Sequence, residues 1–158
     1  MPEDAIAIKS IPRLRVAELT GIAGGFDPEH IGPVVKALFG DLMDRLSQDG
    51  IDGVGPAVAF YDTTPVGGEV IVHAGIPVGP QAQTCHDFAV VDLPEIPRAA
   101  TLVHRGPMDH VLPAWHSLEH WIDASGYCAD GPARERYLVS TENPGGWVTE
   151  LQVPITRE

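Results

Sequence analysis

The sequence contains an internal repeat, and no other feature restricts the fold as strongly. In each half, a segment with apolar residues at helical spacing is followed by two glycines and a tyrosine, at intervals of five and six residues. Each half then closes on a strand-like segment with a proline between two apolar residues, at 76–78 and at 153–155. A duplicated supersecondary unit that buries its apolar face against its copy has this signature. The repeated residues are Gly50, Gly55 and Tyr61 in the first half, and Gly126, Gly131 and Tyr137 in the second.

Both halves predict the element order β-α-β-β. Apolar residues recur every three or four positions after Asp27, Pro28 and Glu29, which form a typical helix start, and again from about 110 to 125. Alternating apolar and polar residues predict the strands. We therefore expect an α+β fold with two pseudo-twofold-related units, at about 13–78 and 98–155, whose antiparallel sheet and two main helices flank a central cleft. The predicted strands cover 6–23, 57–61, 69–76, 99–105, 134–139 and 147–153.

The charge balance restricts the class of partner. The chain has 22 acidic and 10 basic residues, for a formal net charge of −12. Such a surface repels phosphate backbones and anionic lipids, so we expect no direct nucleic-acid partner and no membrane partner. A cationic small molecule would instead be attracted. The length of 158 residues fits a single domain over 1–158, which we expect to be a monomer or a homodimer.

The cysteines and the N-terminus indicate the compartment. Cys85 and Cys128 are far apart and have neither the pattern of a disulfide framework nor the spacing of a zinc site. Segment 1–4 is acidic and has no apolar run of the kind found in signal peptides, and no apolar segment is long enough to span a bilayer. The sequence lacks phosphate-binding and dinucleotide-binding fingerprints. It therefore predicts a cytoplasmic protein without a cofactor.

Short motifs in both halves carry a family resemblance. They are VGPA at 54–57, FYD at 60–62, GIPV at 75–78, VHRGP at 103–107, WIDASGY at 121–127, ERY at 135–137 and VTELQVPI at 148–155. Taken in order, these motifs resemble the GyrI-like small-molecule-binding family, which includes the effector-binding domains of BmrR-type and Rob-type transcription regulators. The resemblance extends from Arg13 to Ile155 and implies the doubled β-α-β-β fold. Because twelve residues precede it and three follow it, we expect a stand-alone member without a DNA-binding domain.

Two glutamates are the leading candidates for the ligand site. Glu150 shares a strand face with residues 148 and 152. Its counterpart in the first half is His73, which is therefore also a candidate ligand-binding residue. The resemblance implies that an acidic residue in an aromatic pocket offsets the charge of cationic lipophilic ligands, and Glu150 fits this role. Glu135 shares a strand face with Tyr137, so a carboxylate and a phenol point the same way. The alternatives are a solvent-exposed strand acid at 150 and a surface ion pair of Glu135 with a neighbouring arginine.

Aromatic and histidine side chains complete the candidate set. Those expected to bind a cation or a flat apolar ligand are Tyr61, Tyr137, Trp121 and Trp147. Trp115, at a helical position, is expected to pack in the core, and core packing is also the alternative for Trp121. His116 and His120 have a spacing that can bind zinc. However, the glutamate between them is not placed as in a metalloprotease helix, and no third ligand is suitably spaced, so we expect no metal site.

The residues leave three functions open. The favoured one is a binding protein for hydrophobic, cationic or polyaromatic small molecules, acting in drug sensing or sequestration. The first alternative follows from the resemblance, because some stand-alone GyrI-like proteins hydrolyse strained electrophilic natural products that contain a cyclopropane. In that case Glu150 or Glu135 activates water and Tyr137 donates a proton, which requires the three side chains to converge. The weaker alternative is a protein-binding inhibitor that uses the acidic surface.

Overall fold

The computed structural model describes residues 6–25, 28–63, 68–139 and 143–157 of the chain. The chain divides into two compact units: Arg13–Pro94, the first-half unit, and Met1–Pro12 with Glu95–Glu158, the second-half unit. Each unit contains one α-helix and antiparallel strands, so the predicted α+β class is confirmed. Among the described residues, no helix is both long enough and apolar enough to cross a membrane.

The strands and helices occur in the predicted order. In the described residues they are β1 (Ala7–Ile11), β2 (Leu14–Ala23), α1 (Pro28–Gln48), β3 (Ala57–Thr63), β4 (Val70–Pro77), β5 (Ala89–Leu93), β6 (Ile96–Arg105), α2 (Leu112–Ala124), β7 (Tyr127–Ala129), β8 (Arg134–Val139) and β9 (Val148–Arg157). The two β-α-β-β copies are β2-α1-β3-β4 and β6-α2-β8-β9. β5 and β7 are short strands outside the predicted set.

Each unit builds its sheet in the same strand order. In the first-half unit the order is β3-β4-β2-β5, and in the second-half unit it is β8-β9-β6-β1, with β7 also paired to β9. The registers correspond as well, since His73 on β4 lies opposite Phe60 on β3, and Glu150 on β9 lies opposite Arg136 on β8. The duplication predicted from the glycine and tyrosine spacings is therefore confirmed in the topology of each unit.

The first strand differs from the prediction. One strand is predicted over 6–23, whereas the structure has β1 and β2, separated at Pro12 and Arg13. Proline cannot donate a hydrogen bond to a sheet, so it favours a break at this point. After the break, β1 pairs with β6, while β2 pairs with β4 and β5. The strand that precedes each repeat therefore pairs with the first strand of the other repeat.

Both helices form where the apolar periodicity predicts them. Asp27, the predicted cap of α1, lies outside the described residues. α2 begins at Leu112, two residues after the predicted start, because residues 108–110 form a 3-10 turn and Pro113 lies in the first turn of the α-helix. A glycine with positive φ follows each helix, Gly50 at 70° and Gly126 at 80°. Glycine adopts this conformation without a steric penalty and so ends both helices.

Each helix covers one face of the sheet in its own unit. The buried core between α2 and its sheet includes Leu102, Leu118, Ile122, Leu151 and Val153. Side chains alternate along a strand, so Glu150 and Gln152, which are next to core residues on β9, point to the opposite face of the sheet. This alternation positions the candidate site.

Candidate ligand-binding site

Glu150 lies on β9, between β6 and β8, on the face of the sheet opposite α2. It is buried, with 7% of its surface exposed. Its Oε1 accepts a hydrogen bond of 2.8 Å from Nε2 of Gln152, and its Oε2 forms an ion pair with Nζ of Lys9 on β1. A buried carboxylate needs such partners to offset the loss of water. The alternative of a solvent-exposed strand acid is therefore wrong.

Two arginines of β8 share this face with Glu150. Arg136 pairs in register with Glu150, and Arg134 pairs with Gln152. Burial lowers the pKa of both guanidinium groups, and the charge of Arg136 lowers the pKa of Arg134 further. The negative charge of Glu150 acts in the opposite direction on the pKa of Arg136. The carboxylate of Glu150 thus has cationic side chains of its own unit near it.

Glu135 occupies the other face of the sheet, the one that α2 covers. Its Oε1 accepts a hydrogen bond of 2.8 Å from the hydroxyl of Tyr137, and its Oε2 accepts one of 3.0 Å from Nε1 of Trp115 on α2. Only 5% of Glu135 is exposed. The ring of Tyr137 makes an edge contact with Trp147, at 6.0 Å between centroids and 69° between planes. The predicted common direction of Glu135 and Tyr137 is confirmed, and Trp115 both packs against the core and donates to the carboxylate.

The predicted convergence of Glu135, Glu150 and Tyr137 is wrong. The register of β8 and β9 places Glu135 opposite Leu151, a core residue under α2, and places Arg136 opposite Glu150. Because successive side chains point to opposite faces, the two carboxylates lie on different sides of the sheet. For the same reason Arg136, one of the predicted surface partners of Glu135, points away from it.

His73, the counterpart of Glu150, is the centre of a charged cluster in the first-half unit. Its Nδ1 contacts the carboxylate of Glu18 on β2, and its Nε2 lies 2.8 Å from Oδ2 of Asp62 on β3. Its ring stacks on Phe60 at 4.3 Å between centroids and 8° between planes. The hydrogen bond with Glu18 raises the pKa of His73 above 6.5, aided by the charges of Glu18 and Asp62 and opposed by burial. This cluster therefore favours the imidazolium form.

The remaining aromatic candidates lie on the helix sides of their sheets. Tyr61 is half-buried and packs in the core between α1 and β4 of the first-half unit. Trp121 packs against the core of α2 and stacks on Tyr127, at 6.3 Å between centroids. A shallow pocket of about 230 Å³ adjoins Tyr127, between α2, β7 and β9. Within the second-half unit, Trp121 and this pocket are therefore on the α2 side of the sheet, and Glu150 is on the other side. The contact of Glu150 with a ligand stays a prediction. It rests on the burial and the charge of Glu150, because this pocket lies on the other side of the sheet.

The structure also locates the residues considered as metal ligands. His116 and His120 are both exposed on α2. Among the described residues, one group of three has ligand atoms within 4.8 Å of one another, namely Asp49, Cys85 and Asp87. Cys85 and Cys128 are free thiols at the surface.

The helix and antiparallel strands of each unit define the class of protein, an α+β domain. The family model described as the GyrI-like small molecule binding domain matches residues 5–156. The chain therefore belongs to the GyrI-like family, as its motifs predict.

A DNA gyrase inhibitor of Erwinia billingiae (strain Eb661) is 33% identical over 60 residues, which are 37% of this chain and 39% of that protein. EcmrR in its DNA complex has a TM-score of 0.82 at 21% identity, over 98% of this chain and 58% of EcmrR. This chain thus matches less than two thirds of the length of either protein. It covers 99% of the separately solved C-terminal domain of EcmrR, at a TM-score of 0.78.

Two further solved structures are similar over nearly the whole chain. A hydrolase encoded by lin2189 from Listeria innocua has a TM-score of 0.64 at 14% identity, over 98% of this chain and 93% of that one. SAV2435 bound to tetraphenylphosphonium has a TM-score of 0.66 at 10% identity, over 96% of this chain and 94% of that one. At these identities the likeness shows a shared fold alone.

The contacts of the site include residues outside the predicted set. Glu18 on β2 and Asp62 on β3 point to the same face of the sheet as His73. Their contact with His73 can therefore be inferred once the registers of β2, β3 and β4 are known. Trp115 lies at the helical spacing of apolar core residues, so the sequence predicts that it packs in the core. Its hydrogen bond to Glu135 depends on how closely α2 packs against β8. Lys9 pairs with a residue 141 positions away, for which local pattern gives no signal.

Proposed function

We propose that this domain binds small hydrophobic cations in the cytoplasm, with Glu150 as the counter-charge. The observation that carries the proposal is a carboxylate that is 7% exposed, lies on the face of its sheet opposite α2 and is paired with a half-exposed lysine. The net charge of −12 favours the approach of cations. The tetraphenylphosphonium bound to SAV2435, a structure of the same fold, supports this ligand class.

The physical basis is a difference between buried and exposed charges. A carboxylate at the surface is screened by water and salt, and its pairing with a cation contributes little. A carboxylate with few water neighbours gains more from a cation that has itself shed its water, as a lipophilic cation does readily. Gln152 fixes one oxygen of Glu150 by its hydrogen bond, which keeps the carboxylate oriented in the absence of a ligand.

The test is the variant Glu150→Gln, measured by calorimetry with tetraphenylphosphonium and with the neutral triphenylphosphine oxide. We expect the cation to bind about 5- to 150-fold more weakly, as loss of a charged interaction of about 1–3 kcal/mol implies, and the neutral compound to be little affected. Glu95→Gln is the matched control, because it makes the same charge change at an exposed position between β5 and β6. Equal losses for both ligands would contradict the proposal.

A second candidate function is hydrolysis of a strained electrophile, and the contact of Glu135 with Tyr137 favours it. A buried carboxylate in contact with a phenol and an indole N–H can accept a proton from water while a donor steadies the leaving group. The hydrolase from Listeria innocua has the same fold. Glu150 lies on the other face of the sheet, so in this reaction Glu135 is the base and Tyr137 the donor.

Turnover of a cyclopropane-containing electrophile, followed by mass spectrometry, tests this second function. Loss of a general base costs about 10²- to 10⁴-fold in rate, so Glu135→Gln should remove most turnover. Tyr137→Phe should lower the rate more than the affinity, because a donor to a developing anion acts mainly in the transition state. Glu150→Gln, on the other face, should leave the rate close to that of the wild type. No turnover by the wild type would end the enzyme hypothesis.

The name of the Erwinia billingiae relative keeps the protein-binding inhibitor as a third candidate. The similarity covers 37% of this chain, so it supports an inhibitory role only weakly. A gyrase supercoiling assay with the purified domain tests it directly. Unchanged supercoiling at a large molar excess of the domain would remove this candidate.

A further inference from the structure

The ion pair between Lys9 and Glu150 joins two very different side chains. The side chain of Lys9 is 48% exposed, whereas that of Glu150 is 9% exposed. The lysine therefore reaches from solvent to a buried carboxylate and provides a positive charge there in the absence of any ligand. A ligand cation that pairs with Oε2 of Glu150 competes with this ammonium group for the same oxygen.

The position of Lys9 on β1 allows its side chain to leave Glu150 and return to solvent. Among the described residues of its unit, β1 pairs with β6 alone, and four of its five residues, including Lys9, are exposed. Its register with β6 shifts between Lys9 and Ile11, directly after the lysine. A long lysine side chain also regains rotamer freedom when it returns to water. Glu150 meanwhile keeps its hydrogen bond from Gln152, so the carboxylate is not left without partners.

The cationic side chain in the charged cluster of the first-half unit, His73, is held more firmly than Lys9. His73 is fixed from two sides by Glu18 and Asp62, and its ring is stacked on Phe60. Its side chain is 17% exposed, much less than that of Lys9. The cluster around His73 thus holds its cation more firmly than the pair of Lys9 and Glu150 does in the second-half unit.

We propose that Lys9 is an internal competitor that a cationic ligand displaces from Glu150, and that it thereby sets the cation affinity of this site. The inference rests on the proposed function, because it assigns the regulation of the same carboxylate. The wild type then binds cations more weakly than a variant that lacks the positive charge of Lys9.

Displacement can be observed directly because the chain has two lysines, Lys9 and Lys36. Reductive methylation with ¹³C-formaldehyde keeps both charges and gives each lysine an NMR signal. On titration with tetraphenylphosphonium, we expect the Lys9 signal to move towards that of Lys36, which is exposed on α1. Triphenylphosphine oxide should leave it in place. A Lys9 signal that does not move when the cation saturates the protein overturns the inference.

Affinities of matched variants give a second measurement. Lys9→Met removes the competing charge and should tighten tetraphenylphosphonium binding about five- to tenfold, without affecting triphenylphosphine oxide. Lys36→Met makes the same change in net charge and should have little effect. In the Glu150→Gln background, Lys9→Met should no longer tighten binding.

These outcomes separate the inference from the function on which it rests. If Glu150→Gln weakens the cation but Lys9→Met leaves its affinity unchanged or lower, Lys9 is not a competitor and the proposed function stands. If Glu150→Gln has no effect on the cation, both are wrong.

Discussion

At the scale of single residues, the protein places ionisable side chains on strand positions where they are partly or fully buried, and gives each one a partner. Glu150 has Lys9 and Gln152, and Glu135 has Tyr137 and Trp115. These partners are needed because a buried charge without them is strongly unfavourable. The exchange of histidine for glutamate between the two copies shows that the duplicated scaffold tolerates either charge at this position.

His73 makes the stability of the protein depend on pH. Its pKa is raised above 6.5 in the folded state, chiefly by the hydrogen bond with Glu18. The stabilisation from protonated His73 is therefore complete below about pH 6.5 and is lost as pH rises through the folded-state pKa. We expect His73→Gln to cost about 1–3 kcal/mol near pH 6 and less near pH 9, measured by urea unfolding.

An NMR titration of the His73 ring, followed from pH 6 to 9, should give a midpoint above 6.5. Glu18→Gln tests whether the hydrogen bond with Glu18 causes the raised pKa. This variant removes the main partner of His73 and should lower the midpoint of the titration. A midpoint at or below 6.5 in the wild type would contradict the assignment.

At the scale of elements, each helix is set by its apolar stripe and by the glycine that follows it. α1 has glycines in two different environments. Gly40 lies at an exposed position inside the helix, and Gly50 follows its end with φ at 70°. Beyond the adjacent residues and the backbone of the helix itself, a Cβ at either position would meet no described atom within 4 Å, so backbone conformation determines the effect of a substitution.

Alanine at these two positions should have opposite effects. Gly50→Ala forces a side chain into the left-handed region and should destabilise the protein by about 1–2 kcal/mol. Gly40→Ala reduces the freedom of the unfolded chain and favours the helix, so it should stabilise by about 0.5–1 kcal/mol. Thermal and urea unfolding measure both. Destabilisation by both variants would show that packing rather than conformation controls this helix.

At the scale of the whole molecule, the chain does not fold as two consecutive segments. β1 is part of the second-half unit, although residues 13–94 of the first-half unit separate it from β6. Ile11 anchors β1 in that unit, because it is 7% exposed and packs in a small cluster with Ile96 and Ala99. The N-terminal strand is therefore an integral part of a unit built mainly from the C-terminal half.

Ile11→Ala should therefore destabilise the protein by about 2–5 kcal/mol, the usual cost of truncating a buried isoleucine. Ile8→Ala is the matched control in the same strand, since Ile8 is 43% exposed, and it should change stability by less than about 1 kcal/mol. Denaturant unfolding compares the two. Equal effects would mean that β1 is not anchored through Ile11.

Much of this architecture follows from local sequence. The glycine and tyrosine spacings predict the duplication, and the apolar periodicity predicts α1 and α2 to within a few residues. Counting back from Pro77 and Pro154 identifies His73 and Glu150 as counterparts, which the registers confirm. These features depend on periods of 3.6 and 2 residues and on glycine conformation, all of which are local properties of the chain.

The partners of the candidate site depend instead on tertiary structure. The sequence shows that Glu135 and Tyr137 share a face, but only the register of β8 and β9 puts Glu150 on the opposite one. Lys9 reaches Glu150 because β1 pairs with β6 after the break at Pro12. A shift of one residue in a register reverses every side chain of a strand, and strand partners far apart in sequence are selected by the packing of the folded molecule. The sequence therefore determines the elements and their faces, whereas the pairing of distant strands decides which charges meet.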